Sequence, residues 1–292
     1  MKIRAYKENF IGALTPQYGR EEAESFFYLV LEDFRGMKRS DLALQPDLTL
    51  SEEETPQWDF VLAQLHKEIP IQYILGKAHF FGLVFQVNDH VLIPRPETEE
   101  LVQWILNISP AGPIRILDIG TGSGCIAIAL ATHLPDAEVF AIDVSTSALR
   151  MASGNAQRND ARVTFIEKDI LATGNLDQLF DIIVSNPPYV RELEKAEIKP
   201  NVLANEPHLA LFVPDDDALV FYRKIADLAL GNLSENGSLF FEINQYLAKE
   251  TMDMLEQKGF GYLELRQDIY GNDRMVLARK LQWSNVERRT TD

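Results

Sequence analysis

The tetrapeptide Asn186-Pro187-Pro188-Tyr189 contains residue types that can hold a planar NH2 group by its two hydrogens. It follows the apolar run 180–185, which is typical of a buried strand. Proline lacks an N–H and disfavours the helical conformation in the residue before it, so Asn186 is expected to be extended at the strand tip. The side-chain oxygen and the carbonyls of this segment then form a cluster of acceptors beside an aromatic ring. A strand followed by a proline-rich turn without chemistry is the alternative.

The nitrogen of an amide or exocyclic amine is a poor nucleophile because its lone pair is delocalised. The Asn186 side-chain oxygen and the Pro187 carbonyl would bind both N–H groups, and these hydrogen bonds strengthen as positive charge develops on nitrogen. Asn186, Pro187 and Tyr189 are therefore the predicted catalytic residues. The predicted substrate-binding residues are the same three with Pro188, and Tyr189 is expected to pack on the flat face of the substrate group. A loop aromatic that covers the core is the alternative for Tyr189.

A second motif, Gly120-Thr121-Gly122-Ser123-Gly124, joins the predicted strand 114–119 to an apolar helical pattern that starts at Cys125. A glycine turn between a strand and a helix lets backbone N–H groups approach a ligand closely. Asp143 ends the next predicted strand, 143 − 124 = 19 positions past the last glycine, where a ribose-binding acid is expected. Together these features predict a nucleotide pocket formed by residues 120–124 and Asp143.

Two residues distinguish between possible nucleotides. The dinucleotide fingerprint has Gly or Ala where this chain has Cys125, and the Asp118 carboxylate at the strand end would repel a pyrophosphate. The same carboxylate suits a ligand that carries an ammonium group. The predicted cofactor is S-adenosyl-L-methionine, with S-adenosyl-L-homocysteine as product and NAD as a distant second. A structural role in ordering the loop is the alternative for Asp118.

The elements that must position these motifs alternate between strand and helix from residue 96 onward. Strand patterns lie at Ile114–Ile119, Glu138–Asp143, Arg162–Glu167, Phe180–Ser185, Ser238–Ile243, Tyr262–Arg266 and Arg274–Ala278. Such alternation predicts a parallel sheet covered on both faces, and the last strand is a candidate for antiparallel pairing. If the strands before Gly120 and Asn186 are neighbours, both motifs face one crevice at the carboxyl edge of the sheet.

The region before residue 96 has a different pattern. Residues 1–75 read as helical, and the β-branched and aromatic segments 78–85 and 86–93 read as a hairpin that turns at Asn88-Asp89. The predicted domains are 1–75, helical; 76–95, hairpin linker; 96–282, catalytic domain; and 283–292, polar tail.

Composition limits the functional classes. The net charge is −16, and residues 1–40 hold seven Lys or Arg and six Asp or Glu, a net of +1, which leaves −17 for the remainder. This acidity argues against direct nucleic-acid binding and favours a basic protein partner, although acidity can also serve solubility alone. A single cysteine, a charged start and the lack of a long apolar run predict a cytoplasmic protein without a membrane partner. No metal-ligand spacing is present, so no metal is predicted.

Several segments resemble, in order, the protein-(glutamine-N5) methyltransferases of bacterial peptide chain release factors. They are Pro70–Gly76, Val91–Val102, Asp118–Gly124, Asn186–Tyr189 and Gly271–Leu277. The Asn-Pro-Pro-Tyr motif alone is shared with N6-adenine methyltransferases, whereas the segment 93–101 is far more specific. The resemblance covers nearly the whole chain.

The resemblance implies an α/β, Rossmann-like seven-stranded S-adenosylmethionine-dependent methyltransferase domain with a small N-terminal helical domain that docks the release factor. It implies methylation of the glutamine in the Gly-Gly-Gln motif of that factor. By position, residues 120–124 and Asp143 would bind the cofactor, Asn186 would contact both ligands, and residues 186–189 would grip the glutamine amide. Ile170 occupies a position that lies against the adenine in the family and is often aromatic there, so it is included among the cofactor-binding residues without a stacking role.

Three other readings stay open from the sequence. An N6-adenine methyltransferase acting on DNA or RNA would need a basic recognition region, which the charge count does not show. A methyltransferase acting on a ribosomal-protein glutamine is barely distinguishable. A catalytically silent S-adenosylmethionine-binding scaffold is disfavoured by the intact motif 186–189.

Overall fold

The computed structural model describes residues 1–280, which divide into two compact units. The first contains Met1–Lys77 and Lys199–Asn205, and the second contains Ala78–Ile198 and residues 206–280. The predicted polar tail 283–292 lies outside the described residues, as does the end of the predicted catalytic domain at 281–282.

The first unit is helical, which confirms the predicted helical character of the N-terminal region. Its helices are α1 (Ile3–Tyr18), α2 (Arg20–Arg35), α3 (Arg39–Leu44), α4 (Thr55–His66) and α5 (Ile71–Leu75). The indole of Trp58 is fully buried and has the Tyr6, Phe27 and Phe34 rings around it at centroid distances of 5.7, 5.3 and 5.6 Å. Large aromatic side chains of α1, α2 and α4 thus make the centre of this unit.

A two-stranded hairpin follows, formed by β1 (Lys77–Phe80) and β2 (Leu83–Gln86). A hairpin therefore lies within the predicted linker 76–95, but the predicted turn at Asn88-Asp89 is wrong. The turn lies at Phe81 and Gly82, whose φ angles are 50° and 76°. Two successive residues with positive φ twist the chain in the sense that suits paired strands, and the turn signal at Gly82 was missed because Phe81 is an unusual residue for it.

The second unit continues with helices and strands that alternate along the chain. They are α6 (Pro96–Ile108), β3 (Arg115–Ile119), α7 (Cys125–His133), β4 (Glu138–Asp143), α8 (Thr146–Arg158), β5 (Val163–Glu167), β6 (Phe180–Ser185), β7 (Val190–Arg191), α9 (Pro200–Asn205, part of the first unit), β8 (Phe212–Val213), α10 (Val220–Asn232), β9 (Leu233–Glu242), α11 (Ala248–Lys258), β10 (Phe260–Gln267) and β11 (Asp273–Lys280). Short 3-10 turns occupy Glu192–Glu197, His208–Ala210, Asp215–Asp217 and Gln245–Leu247.

Seven strands form one sheet in the order β10-β11-β9-β6-β3-β4-β5. The pairs from β9 to β5 are parallel, whereas β11 runs antiparallel to both of its neighbours. The predicted seven-stranded, mostly parallel sheet is confirmed, and the last strand is antiparallel. Because β6 pairs with β3, the strand before Asn186 and the strand before Gly120 are neighbours.

Helices cover both faces of this sheet. Successive residues of β3 belong to different apolar clusters on the two faces. The cluster of Ile116 contains residues of α6 and α7, and the cluster of Leu117 contains residues of α10 and α11. Burial on both faces explains why the strand sequences are continuous apolar runs and do not alternate with polar residues. Within residues 1–280, no helix combines the length and the apolar character needed to cross a membrane.

The glycine turn between β3 and α7 is also a packing site. Gly124 has φ +83°, and a Cβ at this position would lie 2.8 Å from Ile128 Cδ1 and 3.1 Å from Ala152 Cβ of α8. The absence of a side chain therefore allows the start of α7 to approach α8.

We expect Gly124→Ala to lower the free energy of unfolding by about 1–3 kcal/mol, because it combines a positive φ with a steric clash. Gly154→Ala is the matched control: Gly154 lies in the middle of α8 with no neighbouring atom within 4 Å, so alanine should stabilise the protein by up to about 1 kcal/mol. Urea denaturation of both variants measures the two effects. Equal stability of the two variants would contradict the packing role of Gly124.

Candidate active site

The glycine turn and the Asn186 segment leave adjacent strands at the same level of the sheet. Ile119 at the end of β3 is paired in register with Ser185 at the end of β6 and with Ile142 near the end of β4. The Ser185 hydroxyl also donates a hydrogen bond to the Ile119 carbonyl at 2.6 Å. The residues that directly follow Ile119, Ile142 and Ser185 along the chain therefore lie at the same edge of the sheet. These residues are Gly120, Asp143 and Asn186.

A cavity of about 290 Å³ lies at this edge. The predicted site residues that line it are Gly120, Gly122, Asp143, Ile170, Asn186, Pro187 and Pro188. Its volume is at the lower end of the usual range for small-molecule pockets, which begins at about 300 Å³. The two sequence motifs thus share one cleft.

Asp143 faces the cleft and also orders its floor. One carboxylate oxygen, Oδ2, accepts a hydrogen bond from the Gly122 N–H at 2.9 Å, and the other, Oδ1, accepts one from the Ser145 N–H at 2.9 Å. A carboxylate has about four acceptor positions, so Asp143 retains capacity for the hydroxyl groups of a ligand. Its position next to the glycine turn matches that of a ribose-binding acid.

Three of the predicted cofactor-binding residues lie behind the cleft wall and hold the turn in shape. The Thr121 hydroxyl donates to Asp118 Oδ2 at 2.6 Å, and the Ser123 carbonyl accepts from the Asn155 side chain at 2.9 Å. The Gly124 N–H donates to the Thr121 carbonyl at 2.8 Å. The structure thus gives Thr121, Ser123 and Gly124 contacts within the protein, while Gly120 and Gly122 face the cavity.

Asp118 is completely buried directly before Ile119 and Gly120, two residues that line the cavity. Burial raises the pKa of its carboxyl group to about 7, the Thr121 hydroxyl and the Ala127 N–H oppose that rise, and the Asp143 carboxylate adds to it. Its Oδ1 has no hydrogen-bond partner among the described residues. A buried carboxyl group with a free acceptor is suited to a cationic group nearby.

The Asn186 side chain belongs to a chain of polar contacts that leads away from the cleft. Its Nδ2 donates to Thr98 Oγ1 at 3.4 Å, and the Thr98 hydroxyl donates to Glu242 Oε2 at 2.6 Å. Thr98 and Glu242 are 2% and 1% exposed. Glu242 ends β9, and Thr98 lies in the first turn of α6, so three separate elements meet at this point.

Tyr189 is placed differently from the stacking position expected from the sequence. It is not among the residues that line the cavity, and its hydroxyl donates to Glu242 Oε1 at 3.2 Å. Burial, and then the Glu242 carboxylate, raise the pKa of the Tyr189 phenol far above its ordinary value. The phenol therefore stays protonated and acts as a hydrogen-bond donor to Glu242.

The segment after the hairpin supplies another wall of the cleft, which the sequence reasoning did not identify. Residues 89–92 line the cavity together with Pro207, Leu209 and Ala210. Just beyond these two segments, Arg95 Nη2 contacts Glu206 Oε1 at 2.6 Å, and the Glu206 side chain is fully buried. Arg95 thus forms a structural ion pair with Glu206.

Thr98 and Glu242 were also missed, although Glu242 carried a signal. It follows the apolar residues Leu239, Phe240 and Phe241 in the part of β9, residues 237–242, that is buried throughout, and a buried carboxylate needs a specific partner. Thr98 gave no such signal, because a threonine in the first turn of a helix is common. Among residues 1–280, no cluster of three or more His, Cys, Asp or Glu side chains is arranged to hold a metal ion.

Comparison with known proteins adds family information to this geometry. The PrmC N-terminal domain family matches residues 12–76, and the Methyltransferase small domain family matches residues 101–209. Release factor glutamine methyltransferase from Flavobacterium psychrophilum is 60% identical over 280 residues, which is 94% of this chain and 98% of the relative. The Bacteroides thetaiotaomicron protein of the same name is 46% identical over 264 residues, 90% of this chain and 95% of the relative.

Solved structures support the same fold class. A methyltransferase from Pyrococcus furiosus has a TM-score of 0.51 at 17% identity, covering 79% of this chain and all of that one. The T. thermophilus 16S rRNA N2 G1207 methyltransferase, solved with AdoMet and guanosine, has a TM-score of 0.50 at 19% identity, covering 70% of this chain and 50% of that one. At such low identity these structures establish a methyltransferase fold alone. The sequence relatives go further: with matches across nearly the full length, this chain is an enzyme of the release factor glutamine methyltransferase family.

Proposed function

We propose that this protein transfers a methyl group from S-adenosyl-L-methionine to the side-chain amide nitrogen (N5) of the glutamine in the Gly-Gly-Gln motif of peptide chain release factors. The observation that carries the proposal is the in-register pairing of β3 with β6, because it brings the glycine turn and Asn186 into one cleft. The names of the relatives agree with this substrate. A cytoplasmic location follows from the proposal, since release factors act in translation.

The cleft fits S-adenosylmethionine by the chemistry of its lining. Asp143 offers acceptors for ribose hydroxyls, Gly120 and Gly122 allow close approach, and Ile170 offers an apolar surface to the adenine. The free Oδ1 of buried Asp118 suits an ammonium group. When bound, this group supplies an electrophilic methyl carbon. The methyltransferase of T. thermophilus with the same fold was solved with AdoMet, which agrees with the assignment.

The residues of the Asn186 segment orient the glutamine nitrogen. The Asn186 side-chain oxygen and the Pro187 carbonyl accept the two amide hydrogens, which directs the nitrogen lone pair away from this wall and into the cleft. Both hydrogen bonds strengthen as positive charge develops on nitrogen, so they stabilise the transition state more than the ground state. No strong base is required beforehand, because the nitrogen loses its proton after it has been methylated. Tyr189 supports this segment through Glu242.

We further propose that residues 1–75, the helical domain, dock the release factor. Residues 12–76 match the N-terminal domain family, and residues 1–40 carry a net charge of +1 while the rest of the chain carries −17. A release factor works against ribosomal RNA and is expected to be basic, so the acidic remainder of the chain would speed its encounter with the enzyme.

The test of the function is peptide mass mapping of a purified release factor after incubation with the enzyme and S-adenosylmethionine. We expect one added methyl group on the glutamine of the Gly-Gly-Gln peptide. Asn186→Ala should lower kcat about 100- to 1000-fold and weaken cofactor binding far less, because its hydrogen bond grows in the transition state. An unmethylated Gly-Gly-Gln peptide with the wild-type enzyme, or a variant with unchanged kcat and only a raised KM, would contradict the assignment.

Asp143→Ala should raise the Kd for S-adenosylmethionine about 10- to 100-fold, since it removes charged hydrogen-bond acceptors from the cleft. The control is Glu138→Ala at the opposite end of β4, where the side chain is exposed and paired with Arg115. This variant should bind the cofactor like the wild type. Calorimetry without protein substrate measures both, and an equal effect of the two substitutions would exclude a direct role for Asp143.

The raised pKa of Asp118 predicts a pH dependence of cofactor affinity. A cationic ligand favours the ionised carboxylate, so binding should strengthen about three- to tenfold as pH rises from 6 to 8 across the pKa of about 7. Asp118→Asn should remove this dependence, while its amide oxygen can still accept from Thr121. Titration of the ligand's own amino group affects both proteins and cancels in their ratio. An identical pH profile for both proteins would show that Asp118 does not sense the ligand.

A further inference from the structure

The Asn186 carboxamide must present its oxygen to the substrate, and its two ends are nearly equal in size. A carboxamide turned by half a rotation would offer an NH2 group to the NH2 of the substrate, and the two donors would repel each other. The orientation therefore has to be set by a partner behind Asn186. The only hydrogen bond recorded for this side chain among the described residues is the one from Nδ2 to Thr98 Oγ1 at 3.4 Å.

The direction of the hydrogen bonds behind Asn186 follows from Glu242. A hydroxyl group has a single hydrogen, and Thr98 donates it to Glu242 Oε2 at 2.6 Å. Thr98 Oγ1 then has only lone pairs left to offer Asn186. The Asn186 group that faces Thr98 must be the NH2, and its oxygen must face the other way, toward the cleft that Asn186 lines.

Glu242 is itself held by contacts from several elements. Its second oxygen, Oε1, accepts from the Tyr189 hydroxyl at 3.2 Å, and its backbone carbonyl accepts from the Tyr222 hydroxyl of α10 at 3.1 Å. Burial raises the pKa of the Glu242 carboxyl, while Thr98, the Arg274 guanidinium and Tyr189 act against that rise. A buried carboxylate with these partners is a rigid reference for the direction of the Thr98 hydroxyl.

We propose that Thr98 and Glu242 are positioning residues which fix the Asn186 carboxamide with its oxygen toward the substrate amide. The inference rests on the proposed function of Asn186 and adds the reason why this site accepts an NH2 group. A glutamate side chain, which offers only acceptors when ionised, would meet a fixed acceptor and be rejected. Selection of glutamine over glutamate is then decided by hydrogen-bond direction, since the two side chains have nearly the same shape.

The test compares two substitutions of Thr98. Thr98→Val keeps the shape and removes the hydroxyl, whereas Thr98→Ser keeps the hydroxyl and removes a methyl group. We expect Thr98→Val to lower kcat for release-factor methylation about 10- to 100-fold, as for other residues that orient a catalytic group. The Kd for S-adenosylmethionine should stay within about twofold of wild type, and Thr98→Ser should retain most of the activity.

Equal kcat values for the Val and Ser variants would overturn the inference. A loss in Thr98→Val that is matched by an equal loss of cofactor affinity would also overturn it, because that result indicates general damage to the site. Melting temperatures identify damage to the fold, and Thr98→Ala, which also lacks the hydroxyl, replaces Thr98→Val if the latter does not fold.

A second measurement separates this inference from the proposed function. The side-chain NH2 of Asn186 can be assigned by nuclear magnetic resonance from the signal that disappears in Asn186→Ala. Its hydrogen exchange should be slow in the wild type and in Thr98→Ser, and about 10-fold faster or more in Thr98→Val, which lacks the acceptor. Unchanged exchange in Thr98→Val would refute the positioning role, whereas a wild-type enzyme that methylates no release factor would refute the function and leave this measurement valid.

Discussion

The site depends on the parallel pairing of β3 with β6, in which Ile119 lies opposite Ser185. A shift of this pairing by one residue would turn every side chain of the shifted strand to the other face of the sheet, and both faces are buried. The apolar clusters on the two faces therefore hold the register, and the register decides that Gly120 and Asn186 emerge side by side. The arrangement of residues at this edge is in this sense a consequence of core packing.

Around this edge the protein buries several carboxyl groups, and the partners of each group determine what it can do. Glu206 forms an ion pair with Arg95, which links the segment after residues 89–92 to the segment before Pro207, and both segments border the cleft. Glu242 receives hydroxyl hydrogen bonds from Thr98 and Tyr189, so it directs hydrogen bonds. Asp118 has an acceptor without a partner among the described residues and a raised pKa, which leaves it suited to a cationic ligand. Some of the acidic residues of this protein thus have specific roles in buried positions.

The local motifs could be predicted because each contains its own physical reason. Glycine at residues 120, 122 and 124 signals positive φ, and all three adopt it. The two prolines after Asn186 signal the end of a strand, and β6 ends at Ser185. The hairpin was misplaced because its turn uses Phe81 at positive φ, which an aromatic residue seldom adopts, so the local signal for the turn was limited to Gly82.

The sequence by itself determined the strand-and-helix alternation, the glycine turn, the acidic end of β4 and the end of β6 before Asn186, because these depend on backbone preferences of residues close along the chain. Only the tertiary structure decided that Thr98, Tyr189 and Glu242 meet behind Asn186, and that residues 89–92 line the cleft with Pro207. Thr98 and Glu242 are 144 positions apart, and no local propensity encodes such a contact. It arises when the sheet brings the carboxyl end of β9 to the first turn of α6, where burial requires each polar group to find a partner.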